Sequence, residues 1–257
     1  MDLSVLFGDL KFRGFADQDE YGFWIAKGGW TGWETPPAQR ADVLARATTH
    51  GTFDALQLFD AREVTQKGFF RAKTLPELNH MAEALAGQLD GEERTLTVHY
   101  GHHARWAKFK RSLSEPSIVT SSDGTLHVGE YEIVHRMSDP RKYGLTNIFT
   151  GTSVRPFHRG NFPANPEITV TGSMPSGYTI NGPQGKRYVV TQALSPGQTH
   201  RIDFNTGWLY RNDVLQQGAY GRVEVWDVPG GQPSIVMSLA PASGTGSMTV
   251  RVRDTLI

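Results

Sequence analysis

The feature that most constrains this chain is a succession of short runs in which apolar and polar residues alternate, separated by turn-forming residues. A period of two places successive side chains on opposite faces of a β-sheet, and regularly spaced turn signals favour antiparallel strands. The first such run carries Val5 and Phe7, and the last extends from Met248 to Val252. The pattern therefore predicts a mostly β protein.

One segment departs from this rhythm. Thr74 and Glu77 have the spacing of a capping box, in which a hydroxyl and a carboxylate satisfy free amides at a helix N-terminus. An apolar stripe at helical spacing follows, and Gly91 is well placed to end the helix. The stripe consists of Leu78, Met81, Ala82, Leu85 and Leu89. We predict a helix from Leu75 to Leu89 that packs against a sheet, and a second helix, with fewer signals, from Ala38 to Ala47.

A break in periodicity between Met137 and Tyr143 suggests a domain boundary. Residues 1–143 are predicted to form an N-terminal β-sandwich or barrel-like domain that includes the capped helix. Residues 144–257 are predicted to form a C-terminal antiparallel β-sandwich, because turn signals recur there at regular spacing without a convincing helix. A length of 257 residues suits two domains of ordinary size.

Charge and composition exclude several classes of protein. Lys plus Arg equals Asp plus Glu, at 26 each, whereas a protein whose main task is to grip nucleic acid is usually basic. The net charge is −3 up to Tyr143 and +3 from Gly144 onward. The absence of cysteine excludes disulfides, thiolate catalysis and Cys-ligated zinc. The sequence begins without the features of a signal peptide and contains no run long enough to span a membrane. We therefore expect a protein made in the cytosol, with no membrane partner.

The densest cluster of chemically active side chains is HYGHHARWAKFKR, from His99 to Arg111. As a metal site it offers three histidines, but His102 and His103 point to opposite faces of a regular strand, and no acidic residue completes the ligand set. As a nucleic-acid site it has the mixture of basic and aromatic residues that stacking sites use. As an ordinary strand it presents solvated cations or a subunit contact. We favour this third interpretation, because charge runs usually lie on solvated faces.

Signals for catalysis are weak. The sequence contains neither a Gly-x-Ser-x-Gly elbow nor a His-Glu-x-x-His motif. Closely spaced carboxylates such as Glu130 and Glu132 occur, but nothing near them in the sequence would raise a carboxyl pKa. We therefore expect no catalytic residue, no cofactor-binding residue, no metal ligand and no cofactor, and we predict that the protein is not an enzyme.

Five large aromatic residues crowd a short glycine-rich stretch near the N-terminus. Gly28, Gly29 and Gly32 leave this segment, which we predict to be a loop, few conformational restraints. Trp30 and Trp33 would cost free energy if they were left in water, so both are predicted to bury against a neighbouring subunit. The alternative is that both rings fold back into their own core.

Two regions resemble a known family. The stretch LFGDLKFRGFADQDEYGFWIAKGGWTGWETPPAQRA, which begins at Leu6, is similar to the N-terminal domain of siphophage distal tail proteins and of related minor tail proteins in phages of actinobacteria. The stretch NFPANPEITVTG, which begins at Asn161, resembles the galectin-like C-terminal domain of the same family. The resemblance covers essentially the whole chain.

The resemblance implies a structural protein of the bacteriophage virion, located at the tail tip or baseplate. Family members form a homo-hexameric ring through the N-terminal domain, with the galectin-like domains at the periphery. The ring joins the tail tube protein to the tail-tip hub, or tail-associated, protein, with the tape measure protein as a further partner. DNA passes through the central channel without being tightly bound. The resemblance implies no catalytic residues.

Two alternatives remain open. The first is a carbohydrate-binding, lectin-like module that recognises sugars of the host wall through the C-terminal sandwich. The fold alone does not imply such binding, because His158, Arg159 and Asn161 depart in spacing from the galactoside-binding signature of galectins. The second is a tail-tip enzyme, which the missing catalytic constellation disfavours.

Overall fold

A computed structural model describes residues 3–14, 21–40, 45–50, 52–53, 57–111 and 115–257. The chain divides into two compact units, which we call the N-terminal unit (Met1–Lys142, with Ile257) and the C-terminal unit (Tyr143–Leu256). Strands dominate both units, so the predicted mostly β class is confirmed. That the two units are domains with separate roles stays a prediction.

The described part of the N-terminal unit contains ten strands and one α-helix. The strands are β1 (Leu3–Phe7), β2 (Leu10–Arg13), β3 (Gly22–Thr31), β4 (Gln39–Arg40), β5 (Leu58–Phe59), β6 (Arg62–Ala72), β7 (Arg94–Tyr100), β8 (His103–Arg111), β9 (Ser117–Ser122) and β10 (His127–Met137). The helix α1 spans Leu75–Gly87.

Seven of these described strands close into a barrel in the order β8-β7-β1-β2-β3-β6-β10, with β10 pairing back to β8. Strand β9 extends the sheet beyond β10. Alternate side chains of the barrel strands point inward and form one apolar core, as the period of two requires. This core includes Val5, Phe7, Phe12, Phe23, Val64, Phe70, Leu96, Val98, Phe109, Tyr131 and Ile133. The predicted barrel-like fold with one helix is confirmed.

Helix α1 begins as its sequence predicts. The Thr74 Oγ1 atom accepts a hydrogen bond from the Glu77 amide at 3.3 Å. The Glu77 carboxylate accepts from the Lys73 amide at 2.9 Å, one residue before the amide that a standard capping box satisfies. Leu78 and Leu85 are buried in the barrel core, so the apolar stripe packs as predicted.

The helix predicted from Ala38 to Ala47 is wrong in its described part. Gln39 and Arg40 form β4, which pairs with β5, and Ala45 forms an isolated bridge with Thr52. Residues 41–44 lie outside the described residues. Here hydrogen bonds to a segment almost twenty residues away outweigh a local helical preference.

The C-terminal unit, which is described throughout, contains the remaining strands and one short 3₁₀ turn, Pro183–Gly185. The strands are β11 (Lys142–Gly151), β12 (Ser153–Val154), β13 (Glu167–Ser173), β14 (Tyr178–Asn181), β15 (Arg187–Val190), β16 (Thr199–Asp203), β17 (Trp208–Arg211), β18 (Val214–Leu215), β19 (Tyr220–Val223), β20 (Met237–Pro241) and β21 (Thr245–Leu256).

These strands form two layers. One sheet has the order β18-β17-β16-β13-β21-β11, and the other has the order β12-β20-β14-β15-β19. Inward side chains from both sheets share one core, for example Ile168 and Val250 from the first sheet and Ile180 and Leu239 from the second. The predicted antiparallel β-sandwich is confirmed. No helix within the described residues has the length and apolar character needed to span a membrane.

Candidate subunit-interface site

The glycine-rich segment that carries Trp30 is a strand rather than the predicted loop. Strand β3 pairs with β6 from Gly22 to Ile25 and again from Trp30, with a shift of register between the two stretches. Gly29 lies so close to β6 that a Cβ atom there would be 2.2 Å from the Lys67 carbonyl oxygen. Glycine at this position therefore allows the two strands to lie close together and does not mark a loop.

Trp33 belongs to the core of its own unit. Its side chain is only 1% exposed, and its ring centroid lies 6.0 Å from that of Trp30. The Lys142 ammonium lies 5.6 Å from the Trp33 ring centroid and donates to the Trp33 carbonyl at 2.8 Å. Burial, followed by the nearby Arg62 charge, lowers the pKa of Lys142 to about 8. The Trp33 ring therefore folds into the core of its own unit, which is the alternative that the sequence left open.

The buried guanidinium of Arg62 holds the backbone that follows β3. Its Nη1 atom donates to the carbonyls of Gly32 at 2.9 Å and Trp33 at 3.0 Å, and also to that of Thr35. Its Nε atom donates to the Pro140 carbonyl at 3.0 Å. Burial lowers the pKa of Arg62, and these carbonyl dipoles replace the water that the cation has lost. The segment around Trp33 is thereby fixed to the start of β6.

Trp30 reaches a surface that is open to solvent. Its ring is half-buried, and its Nε1 atom donates to the Tyr100 hydroxyl at 3.0 Å. Both side chains line a groove of about 490 Å³ whose walls also include Leu3, Ile25 and Glu34. Burial, and then the Glu34 carboxylate, raise the pKa of Tyr100 to about 12, so its hydroxyl stays protonated. Of the two tryptophans, Trp30 alone lines this groove. That either tryptophan contacts another subunit stays a prediction.

The cluster from His99 to Arg111 forms the β7–β8 hairpin. His99 pairs with Ala104 and Tyr100 with His103, while His102 lies in the turn between the strands. Among the described residues, no group of three or more His, Asp or Glu side chains is arranged to hold a metal ion.

A buried polar network inside the barrel was not predicted from the sequence. The His135 Nε2 atom lies 2.9 Å from Gln66 Oε1, Gln66 donates to the Tyr131 hydroxyl at 3.2 Å, and that hydroxyl donates to the Trp24 carbonyl at 3.0 Å. Burial lowers the pKa of His135 to about 3, so the imidazole is neutral. The sequence did hold a signal, since Gln66 and His135 are polar residues at positions whose neighbours two residues away, such as Val64 and Ile133, are apolar.

The C-terminal sandwich presents one exposed aromatic side chain beside fixed charges. The strand registers align Arg251, Glu167, Asp203 and Trp208 in one row on the solvent side of the first sheet. Trp208 is 49% exposed. The Glu167 carboxylate lies 3.6 Å from the guanidinium groups of both Arg201 and Arg251. The row combines an apolar platform with groups that donate and accept hydrogen bonds.

Two of the residues compared with the galectin signature, His158 and Arg159, make hydrogen bonds within the C-terminal unit. His158 is fully buried, where its Nδ1 atom accepts from the Gly160 amide at 3.1 Å and its Nε2 atom lies 3.3 Å from the Val228 carbonyl. The Arg159 amide donates to the Asp254 carboxylate at 2.9 Å. His158 therefore stabilises the sandwich from inside and is inaccessible to a sugar.

Comparison with known proteins identifies the fold. No protein-family model matches the sequence. No curated protein sequence matches it either. Among solved structures, the Dit protein of phage SPP1 is similar, with a TM-score of 0.72 and 12% sequence identity over 98% of each chain. That protein is described as a paradigm of the hub adsorption apparatus in phages that infect Gram-positive bacteria. Two structures of the phage p2 baseplate in its activated conformation, with Ca and with Sr, give TM-scores of 0.46 and 0.45 at 7% identity over 97% of each chain.

The similarity to the SPP1 protein runs through both units, because it covers nearly the whole of each chain. At 12% identity it concerns the arrangement of strands and not particular side chains. The chain therefore shares the fold of the SPP1 Dit protein along nearly its whole length.

Proposed function

We propose that this protein is a structural component of a bacteriophage tail tip. The observation that carries the proposal is the shared fold with the SPP1 hub protein along 98% of both chains. A likeness that includes both units favours the same kind of assembly over the reuse of one common domain. The protein acts in the virion by binding other proteins, and we propose no enzymatic activity for it.

In this proposal the N-terminal unit forms a hexameric ring and the C-terminal unit is a galectin-like domain at the periphery. The ring connects the tail tube protein to the tail-tip hub protein, with the tape measure protein as a further partner. DNA passes through the channel of the ring without tight binding. The resemblance in the sequence supports these details, and the formal net charge of zero supports the absence of tight DNA binding.

The mass of the purified protein in solution tests the ring. Light scattering is expected to give a particle of six copies of the 28.5 kDa chain. A closed ring of one kind of subunit needs two different patches that meet between neighbours, so its mass should reach a plateau as the concentration rises. A monomer at every attainable concentration would contradict the proposed ring.

A second candidate function is recognition of a host carbohydrate by the C-terminal unit. The row of Arg251, Glu167, Asp203 and Trp208 favours it, because an exposed indole beside oriented charged groups can stack on a sugar ring and hydrogen-bond its hydroxyls. A glycan array tests this function. Binding that Trp208→Ala abolishes would support it, and an array without bound sugars would remove it.

A further inference from the structure

The charges of the N-terminal unit are unevenly distributed over its strands. Up to Tyr143 the sequence carries a net charge of −3. Nevertheless, four adjacent strands of the barrel, β8, β7, β1 and β2, contain no Asp or Glu in their sequences. These same strands carry seven Lys and Arg residues. An acidic unit thus has one barrel wall on which every charged residue of the strands is a cation.

Strand registers show that several of these cations share the outer surface. Trp106, Thr97, Leu6 and Lys11 form one row across the four strands, and Ala104, His99, Ser4 and Arg13 form the next. Lys108 and Lys110 follow Trp106 at intervals of two along β8, so they lie on the same side. We call Lys11, Arg13, His99, Trp106, Lys108 and Lys110 the cationic face.

The alternate residues on these strands confirm the outward direction. Phe12, Val98, Ala107 and Phe109 are at most 3% exposed and lie in the barrel core. Lys11, Arg13, Lys108 and Lys110 are all exposed. Lys11, Arg13, Lys108 and Lys110 therefore lie on the same solvent-facing side of the sheet, with the half-buried residues of β7 and β1 between the two pairs.

One stretch of the same unit carries acidic side chains without any lysine or arginine. Helix α1 and the turn after it, Leu75 to Glu93, contain five carboxylates and neither Lys nor Arg. These carboxylates are Glu77, Glu83, Asp90, Glu92 and Glu93, and all five residues are exposed. Asp90 pairs with Arg94, at 2.6 Å between Oδ2 and Nη2. We call this stretch the acidic segment.

We propose that the cationic face of one copy docks on the acidic segment of a second copy. This inference rests on the proposed ring, in which every subunit must offer two different, complementary patches to its neighbours. The unit carries two such patches of opposite sign on different elements. Complementary charge of this kind fixes the register of a contact and excludes pairings of like charge.

Duplex DNA is the competing occupant of a cationic surface that includes an aromatic ring. The charge of the whole chain favours the protein partner, because a formal net charge of zero lacks the positive excess usual in proteins that bind duplex DNA. In addition, every subunit carries one acidic segment and one cationic face, so the two surfaces are present in equal numbers.

Charge reversal on the full-length protein tests the contact. We test two double variants, Lys108→Glu with Lys110→Glu and, separately, Glu83→Lys with Glu92→Lys. Each is expected to raise the protein concentration needed for assembly at least tenfold, as measured by sedimentation velocity. Neither pair includes a residue of the buried core or the helix cap. Arg155→Glu with Arg222→Glu is the matched control, because it reverses two exposed cations in the C-terminal unit and should leave assembly unchanged.

Mixing the two reversed variants provides the decisive measurement. In an alternating ring, every contact again joins opposite charges, and a ring of six closes with three copies of each variant. We therefore expect the mixture, but neither variant alone, to regain the wild-type sedimentation coefficient. Circular dichroism of each variant checks that the fold is retained, so that loss of assembly is not loss of folding.

The possible outcomes separate this inference from the proposed function. If wild-type protein forms the hexamer and both reversals leave it intact, or if the mixture stays dissociated, the docking contact is wrong while the ring stands. If wild-type protein never assembles, the ring and the contact both fail. If the first reversal abolishes binding to a 30-base-pair duplex in a filter assay but does not affect assembly, the face binds DNA and the inference is overturned.

Discussion

Two of the three fully buried histidines are expected to make the stability of this protein sensitive to acid. His135 lies inside the barrel and His200 inside the sandwich, and both are fully buried. Burial lowers the pKa of His135 to about 3, and burial together with the Arg211 charge lowers the pKa of His200 to about 4. An unfolded histidine titrates near 6.5, so below that pH the unfolded chain binds protons that the native state excludes.

We therefore expect the free energy of unfolding to fall as the pH decreases from about 6.5 towards 4, by up to about 1.4 kcal/mol per pH unit for each histidine. His135→Gln and His200→Asn each place an amide group near the position of the hydrogen-bonding ring nitrogen. The amide does not titrate, so the variants lose the protonation of the two histidines. Urea unfolding at pH 7 and pH 4.5 should show a smaller difference in the double variant than in the wild type. An unchanged difference would show that other groups cause the acid sensitivity.

The two tryptophans of the candidate site should respond differently to truncation. Trp33→Ala empties a fully buried site and is expected to cost about 3–5 kcal/mol in urea unfolding. Trp30→Ala removes a half-buried ring from the edge of the groove, so its cost should be smaller and its main effect a loss of assembly. Trp208→Ala, in the C-terminal unit, is the control. Equal destabilisation by Trp30→Ala and Trp33→Ala, with assembly intact, would place both rings in the core alone.

At the scale of elements, Arg62 ties strand β6 to the segment after β3 and to Pro140 through four carbonyl bonds. Arg62→Met keeps much of the side-chain volume but removes all four hydrogen bonds, and only for the Trp33 carbonyl do we describe a second donor, Lys142. We expect a loss of about 3–5 kcal/mol in the free energy of unfolding. Lys67→Met on the same strand removes only an exposed ion pair with Glu132 and should cost less than about 1 kcal/mol. Similar costs for the two variants would contradict the role assigned to Arg62.

Elements with local signals could be predicted from the sequence. The hairpin of β9 and β10 has an Asp-Gly turn, and the Asp123 carboxylate accepts from the amides of Thr125 and Leu126. Helix α1 has its Thr74 cap and apolar stripe within one stretch. In both cases the residues that determine the structure lie within a few positions of one another, so a pattern along the chain is sufficient.

Elements that depend on distant partners could not be predicted in the same way. Strand β3 continues through its glycines because β6 lies beside it, and Trp33 turns inward because Arg62 and Lys142 bind its carbonyl. These partners are 29 and 109 residues away in the sequence. The candidate site was therefore found at the right segment, while the burial of its second tryptophan was open until the structure placed its partners.

At the scale of the whole molecule, the C-terminal unit is predicted to fold alone. Its two sheets share a core of 21 buried residues that all lie within the unit. A fragment of residues 144–257 should therefore be a monomer with a β-rich far-ultraviolet circular dichroism spectrum and a cooperative thermal transition. A spectrum typical of a disordered chain would show that this unit needs the rest of the protein.

The whole molecule is proposed to form a ring at a phage tail tip. Negative-stain electron microscopy of the purified full-length protein tests it most directly, because class averages show symmetry and a central opening together. We predict rings of six subunits with a central channel and peripheral lobes. Images that contain only single particles without rotational symmetry, at concentrations where light scattering finds no assembly, would contradict the claim.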